Sequence, residues 1–292
     1  MISCIITTYQ RPIHILKRAI DSVVNQTYKD IELIVVNDAP AEKKLAEEIG
    51  RLIMQYPIRK QYIIHDVNKG ACAARNTGIV HASGEYIAFL DDDDEWLPEK
   101  LARQYNLLQQ ESLAIVSCAY NQIGADGKLK VIEIQYPKDN ISDFEKLLTY
   151  GNFLGSTSFP LIRTDVFLRV GNFDIELKSS QDYEMWIRIA EHFPVGFIDD
   201  ALVNYYISDV CITKSMKNRE QGFWYIIDKY KEFYCRNRKA YNCRLNRTAV
   251  SFLRDRAIGL FFKYWIKAVV VWPFSRYNLE VFYRIYKKIQ NR

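Results

Sequence analysis

The sequence predicts an α/β fold: a mainly parallel sheet flanked by helices, followed by a helical C-terminal appendage. Three observations point there. Over the first 120 residues, short β-branched runs alternate with segments of helical period. Polar clusters close several of those runs, where a parallel sheet gathers its strand ends. Beyond about residue 213 the pattern is helical only. At 292 residues the chain is long enough for one large domain with an appendage, or for two domains.

The elements follow in order. Ile2–Thr7 is a first strand, and Pro12 opens a helix whose apolar positions Ile13, Leu16, Ile20, Val23 and Val24 keep the 3.6 period. Ile31–Val36 is a second strand and Glu42–Gln55 a helix. Gln61–His65 is a third strand, Gly70–His81 a small-residue helix and Glu85–Leu90 a fourth strand. Pro98–Gln110 is a helix and Ala114–Tyr120 a strand. Right-handed crossovers join such strands in parallel. From residue 121 the pattern changes. Gly124–Gly127 is a turn between strands, Phe144–Tyr150 a short helix and Thr157–Arg163 a strand. Gln181–His192 is an amphipathic helix, and Val195–Ile198 and Ala201–Ile207 are two short strands.

Composition narrows the class. Met1–Ile6 runs straight into a strand pattern without a basic start, so no secretory leader is expected. Six cysteines show no CxxC pair and several lie in apolar runs, which suits reduced, structural thiols in a cytosolic compartment. The net charge of +5 hides an asymmetry: residues 1–213 carry −9 and residues 214–292 carry +14. A basic, aromatic-rich tail suggests an anionic surface as partner, membrane phospholipid or nucleic acid. No GxGxxG follows the first strand and no GxxxxGK[ST] occurs, so neither a standard dinucleotide fold nor a P-loop NTPase is expected.

The strand ends carry the chemistry. Strand one ends in Thr7-Thr8-Tyr9-Gln10-Arg11, strand two in Asn37-Asp38, and strand four in Asp91-Asp92-Asp93-Asp94. Four adjacent carboxylates repel one another unless a cation or a set of donors sits among them. Oxygen-only ligands on a turn suit Mn²⁺ or Mg²⁺. The other reading is a solvated acidic turn capping the next helix.

In this order and register the motifs resemble the family-2 glycosyltransferases of GT-A, Rossmann-like fold. The likeness covers roughly residues 1–213. It rests on Ile2–Arg11, Gln26–Glu32, Val35-Val36-Asn37-Asp38, Asn68-Lys69-Gly70 through Ala74–Ile79, Gly84–Pro98, Val170–Asp174 and Gln181–Trp186. The resemblance implies a metal-dependent, inverting transfer of a sugar from a nucleotide-sugar to an acceptor hydroxyl. It implies a nucleotide-sugar half at residues 1–120 and an acceptor half at 121–213, with 214–292 as a separate helical region. Asp93 matches the principal ligand of the DxD motif. Asp91 and Asp92 would contact the metal or the donor's ribose, and Asp94 would either join them or only cap the next helix. Asp38 matches the carboxylate that reads the base of a uridine donor. Thr8 and Tyr9 match its backbone and stacking contacts, with Arg11 beside them. Arg75 would face the diphosphate or form a structural salt bridge. Asp182 matches the general base, with Gln181 on the acceptor side and Trp186 lining the acceptor pocket or packing in the core. Ser208 stands where relatives often have His, so Asp209 or water would complete the ligand set.

The apolar stretch Ala257–Trp272 is interrupted by Lys263 and Lys267 and is a poor membrane span. As a helix it places Arg256, Lys263 and Lys267 on one stripe opposite a Leu/Phe/Trp face. It would lie in a membrane interface through residues 245–292, or pack on the catalytic domain or on a second subunit. Other classes fit less well. A nucleotidyltransferase needs a Gly-rich basic loop after strand one, which Thr7–Pro12 is not. A non-catalytic binding module does not need Asp93 and Asp182 intact. A nucleic-acid binder does not suit an acidic body with an aliphatic tail. The expected enzyme is therefore a glycosyltransferase at the inner face of the cell membrane, extending a glycan or lipid-linked acceptor.

Overall fold

A computed structural model describes residues 1–132, 136–207, 215–281 and 283. The first strands are β1 (Ile2–Thr8), β2 (Ile31–Asn37), β3 (Arg59–Ile64) and β4 (Tyr86–Asp91). Helices α1 (Ile13–Val24), α2 (Lys43–Met54) and α3 (Ala71–His81) connect them. Then follow β5 (Glu95–Trp96), α4 (Lys100–Glu111), β6 (Ile115–Ile123), β7 (Leu129–Ile132), α5 (Asp143–Tyr150), β8 (Leu161–Arg163) and α6 (Val166–Val170). The chain continues through α7 (Gln181–His192), β9 (Val195–Tyr206), α8 (Met216–Lys229), α9 (Lys231–Arg236), α10 (Arg238–Arg254) and α11 (Ile258–Val271).

The sheet runs β3-β2-β1-β4-β8-β6-β9-β5, with β7 on β6. β3, β2, β1 and β4 are parallel, as the alternating pattern requires. All seven residues of β2 are buried, the mark of a central strand covered on both faces. β8 inserts antiparallel between β4 and β6, and β9 returns parallel to β6. The core on one face packs Leu16, Ile20 and Val23 of α1 against Cys4, Ile6, Leu33 and Val35 of the sheet.

Several expected elements change. The strand expected at Thr157–Arg163 shortens to Leu161–Arg163, because the hydroxyls of Ser156, Thr157 and Ser158 are drawn to aspartates and Pro160 offers no N–H. The two strands expected at Val195–Ile198 and Ala201–Ile207 are one, β9. Shifts of register opposite Cys118–Tyr120 absorb Asp199 and Asp200 as a bulge. Pro98 does not open the next helix. β5 comes first, pairing Glu95 and Trp96 with β9, and α4 starts at Lys100.

The chain forms two compact units: Met1–Tyr136 with Leu154–Gly222, and Pro137–Phe153 with Phe223–Arg292. The boundary expected at residue 213 lies outside the described residues. The short α5 groups with the C-terminal helices in the second of these units. In that second unit Tyr264 of α11 is fully buried and stacks on Phe252 and Trp224. Asn242, Asn246 and Asn278 bond to one another beneath it. Among the described residues no helix is long and apolar enough to cross a membrane.

Candidate active site

Parallel pairing sets the site. Thr8 lies opposite Asn37, and Thr7 opposite Asp91, so three strand ends share one edge. Thr8 is buried. Tyr9 is 51% exposed beside Gln10, whose φ of +50° turns the chain out of the sheet. Asn37 is buried, held by Tyr62 and by the Ala39 amide.

Asp38 follows directly and is almost wholly buried. Its Oδ1 accepts from His65 Nδ1 at 2.7 Å and from the Lys69 amide at 2.8 Å, while Oδ2 accepts from the Gly70 amide at 2.7 Å. The His65 Nε2 meets Thr77 Oγ1 at 2.9 Å. Asp38 therefore ties the end of β2 to the entry of α3, where Gly70 adopts a φ of +86°. Sequence reasoning set His65 aside. Its signal was its place, one residue past β3 on the same edge.

The four aspartates divide by face and partner. Asp91 and Asp93 are partly exposed, whereas Asp92 and Asp94 are buried. Arg11 holds Asp92 Oδ1 through Nε at 2.7 Å and Asp93 Oδ2 through Nη2 at 3.1 Å. Arg18 donates to the Asp93 carbonyl at 2.5 Å, and its guanidinium lies 3.6 Å from the Tyr206 ring centroid. Burial, opposed by Arg11, pushes the Asp92 carboxyl up to about 6. Asp93 is raised by burial and then by the charge of Asp91.

Of the roles open to Asp94, the cap of α4 is not the one it takes. Its Oδ2 accepts from Ser158 Oγ at 2.6 Å and its Oδ1 from the Tyr206 amide at 3.2 Å, while Glu99 occupies the N-cap position. Burial and the nearby Asp91 hold it well above the usual carboxylate range. Asp94 thus fastens the end of β9 and the Ser156–Ser158 loop to the acidic turn. In the sequence Thr157-Ser158 reads as the start of a strand, which hides the loop. It also supplies Ser156 Oγ and Thr157 Oγ1 to Asp91, at 3.2 and 3.1 Å.

Arg75 of α3 joins the aspartate turn to α7. Its Nη2 donates to Asp91 Oδ1 at 2.8 Å and its Nη1 to Gln181 Oε1 at 3.3 Å. Of its two anticipated roles, this geometry is the salt bridge: both Nη nitrogens are held by protein acceptors. Asp182 is the next residue, in the first turn of α7. Burial raises its carboxyl, with the charge of Asp91 adding to that, while the Tyr183 amide and Arg75 oppose.

Of the two places open to Trp186, it occupies the core: it is fully buried, its indole N–H donates to the Gly155 carbonyl at 2.9 Å, and its ring meets Phe173 edge-on. One turn beyond Asp182, it lies on the inward stripe of an amphipathic helix. Trp186→Ala should lower the unfolding free energy by about 3–5 kcal/mol, the range for deleting a buried aromatic, read from the denaturant midpoint.

The donor set fits a hard divalent cation. It is all carboxylate oxygen, and Asp91 and Asp93 present partly exposed groups whose mutual repulsion a cation relieves. Among the described residues no group of three or more His, Cys, Asp or Glu side chains forms a cage of its own. Water or phosphate oxygens would complete the shell of a cation held there. Ser208 and Asp209, the positions considered for a further ligand, lie outside the described residues.

Comparison with known proteins agrees with this architecture. A family model described as Glycosyl transferase family 2 matches residues 3–171. The putative colanic acid biosynthesis glycosyl transferase WcaA of Escherichia coli K12 is 30% identical over 246 residues, covering 82% of this chain and 85% of its own. An uncharacterized glycosyltransferase of Methanocaldococcus jannaschii is 29% identical over 243 residues, covering 81% and 82%. Among solved structures, S. aureus TarS 1-349 in complex with UDP-GlcNAc superposes with a TM-score of 0.64 at 16% identity, over 92% of this chain and 81% of that one. That likeness is one of fold.

Proposed function

The chain belongs to glycosyl transferase family 2, and from that premise we infer that it is a metal-dependent, inverting enzyme. It moves a sugar from a uridine-diphosphate donor to a hydroxyl of a glycan or lipid-linked glycan, in the synthesis of a cell-surface polysaccharide. The observation that carries this reading is Arg75, which links Asp91 at one end of the site to the Gln181–Asp182 helix start at the other. One-step inversion needs a stabilised leaving group on one face of the sugar and a base on the other.

Each residue then has a task. Tyr9, half-exposed at the sheet edge, stacks on the base, and Thr8 beside it holds it. Asp38 spends most of its acceptor capacity on His65, Lys69 and Gly70, so its contribution is to fix the loop that meets the base. Asp91 and Asp93 would hold Mn²⁺ or Mg²⁺, with Asp92 and Arg11 bracing Asp93 from behind. A bound cation supplies positive charge to the departing diphosphate. Asp182 takes the acceptor proton as its oxygen attacks the anomeric carbon and the bond to the diphosphate oxygen breaks. A carboxylate in bulk water is too weak for this, and burial moves Asp182 in the useful direction.

The uridine assignment is supported by the TarS neighbour solved with UDP-GlcNAc, and the polysaccharide task by the name of the WcaA relative. Such an acceptor places the enzyme peripherally on the inner face of the membrane, as a monomer or a homo-oligomer and without nucleic acid. Thermal unfolding tests the donor reading. Mn²⁺ with UDP at a hundredfold excess over Kd should raise the midpoint by a few degrees, from about 2.7 kcal/mol of linkage. An equal rise with Mn²⁺ and AMP, or none with either, would remove the uridine assignment.

A further inference from the structure

The outward face of α11 is an apolar ridge. Ile258, Phe262, Ile266 and Val270 stand four residues apart and are 59%, 49%, 53% and 74% exposed. Positions at that spacing line up along one side of a helix. Phe274, just past the helix end, is 96% exposed. The inward side is already occupied, by Phe261, Tyr264 and Ala268. The ridge is therefore not the unfinished half of this unit's own core. Of the Leu/Phe/Trp face that the sequence suggested, Phe262 lies on this ridge whereas Phe261 is buried.

Charge selects what covers the ridge. From Arg256 to Leu279 the chain carries Arg256, Lys263, Lys267 and Arg276 and no carboxylate. Lys263 and Lys267 are exposed and each follows a ridge residue, Phe262 or Ile266, so they border the apolar stripe along its length. Residues 214–292 as a whole carry +14. A second copy of this face would set like charges against one another. An anionic bilayer satisfies both features, taking the apolar side chains at the acyl boundary and the lysines at the headgroups. At 14 residues the helix spans about 21 Å, too short to cross a bilayer and suited to lying along one.

We propose that the Ile258–Phe262–Ile266–Val270 ridge of α11, with its flanking lysines, is the face that seats this enzyme on an anionic phospholipid surface. This deepens the reading of the chain as a peripheral enzyme and adds nothing to its donor chemistry.

Flotation of the full chain with phosphatidylglycerol-containing vesicles tests it, with nucleotide-sugar hydrolysis measured on the same preparations. The wild type should float with anionic vesicles and stay behind with pure phosphatidylcholine. Phe262→Ser with Ile266→Ser should lower partitioning at least tenfold. Lys263→Glu with Lys267→Glu should do the same at low salt. All four positions are exposed, so unfolding midpoint and hydrolysis should be unchanged. Flotation that survives the serine pair, or a wild type that does not float, would overturn the proposal even with hydrolysis intact. So would light scattering that finds a wild-type dimer reduced to monomer by the serine pair. Loss of hydrolysis in a wild type that still floats would strike the donor chemistry instead.

Discussion

Asp182→Asn should lower kcat by about 10²–10⁴, the contribution usual for a general base, with donor affinity and folding retained. The amide keeps the shape of the side chain and removes its proton acceptance. The pH profile gives the sharper reading. The base works only when deprotonated, so the wild-type rate falls as pH drops through its pKa. Burial raises that pKa, which moves the acid limb upward in pH. The residual rate of Asp182→Asn should lack this limb. Steady-state nucleotide release from about pH 5 to 8 measures both. A variant that keeps the limb would assign it to another group.

Asp93→Ala should cost about 10²–10³ in kcat, the scale of removing one preorganised electrostatic contact to a departing oxyanion. The metal response should change with it, so that the Mn²⁺ needed for half-maximal rate rises steeply. Arg11 complicates the outcome in an informative way. It bridges Asp92 and Asp93, so it keeps its tie to Asp92 when Asp93 is removed. The turn therefore should stay folded, and the loss should read as metal affinity rather than as stability. Metal titration of the hydrolysis rate, alongside thermal unfolding without metal, distinguishes the two.

Much of this site was legible because it is local. The aspartates follow a strand, Asp38 follows another, and Asp182 opens a helix whose bounds match those expected, Gln181–His192. Periodicity places such residues at strand ends without any tertiary knowledge. What escaped was non-local. Ser158 reaches Asp94 across 64 residues, Arg18 reaches Asp93 across 75, and Tyr206 reaches Asp94 across 112. None of these pairs leaves a mark in local sequence, and the hydroxyl loop looked like strand because Ser and Thr tolerate both. Trp186 stays open in the sequence for a related reason: one turn past Asp182 suits pocket or core alike, and only the packed helix shows that its side chain is buried. The split strand expected around Asp199 failed because a bulge carries two polar residues without ending the pairing.

If the acidic turn and the start of α7 are two ends of one transfer site, nucleotide-sugar turnover needs both. A panel of nucleotide-sugars hydrolysed with Mn²⁺, then repeated after chelation and with Asp93→Ala and Asp182→Asn, tests this. The expected result is hydrolysis of a uridine-diphosphate sugar that needs the metal and falls at least a hundredfold in each variant. Hydrolysis that survives both chelation and Asp93→Ala would contradict it.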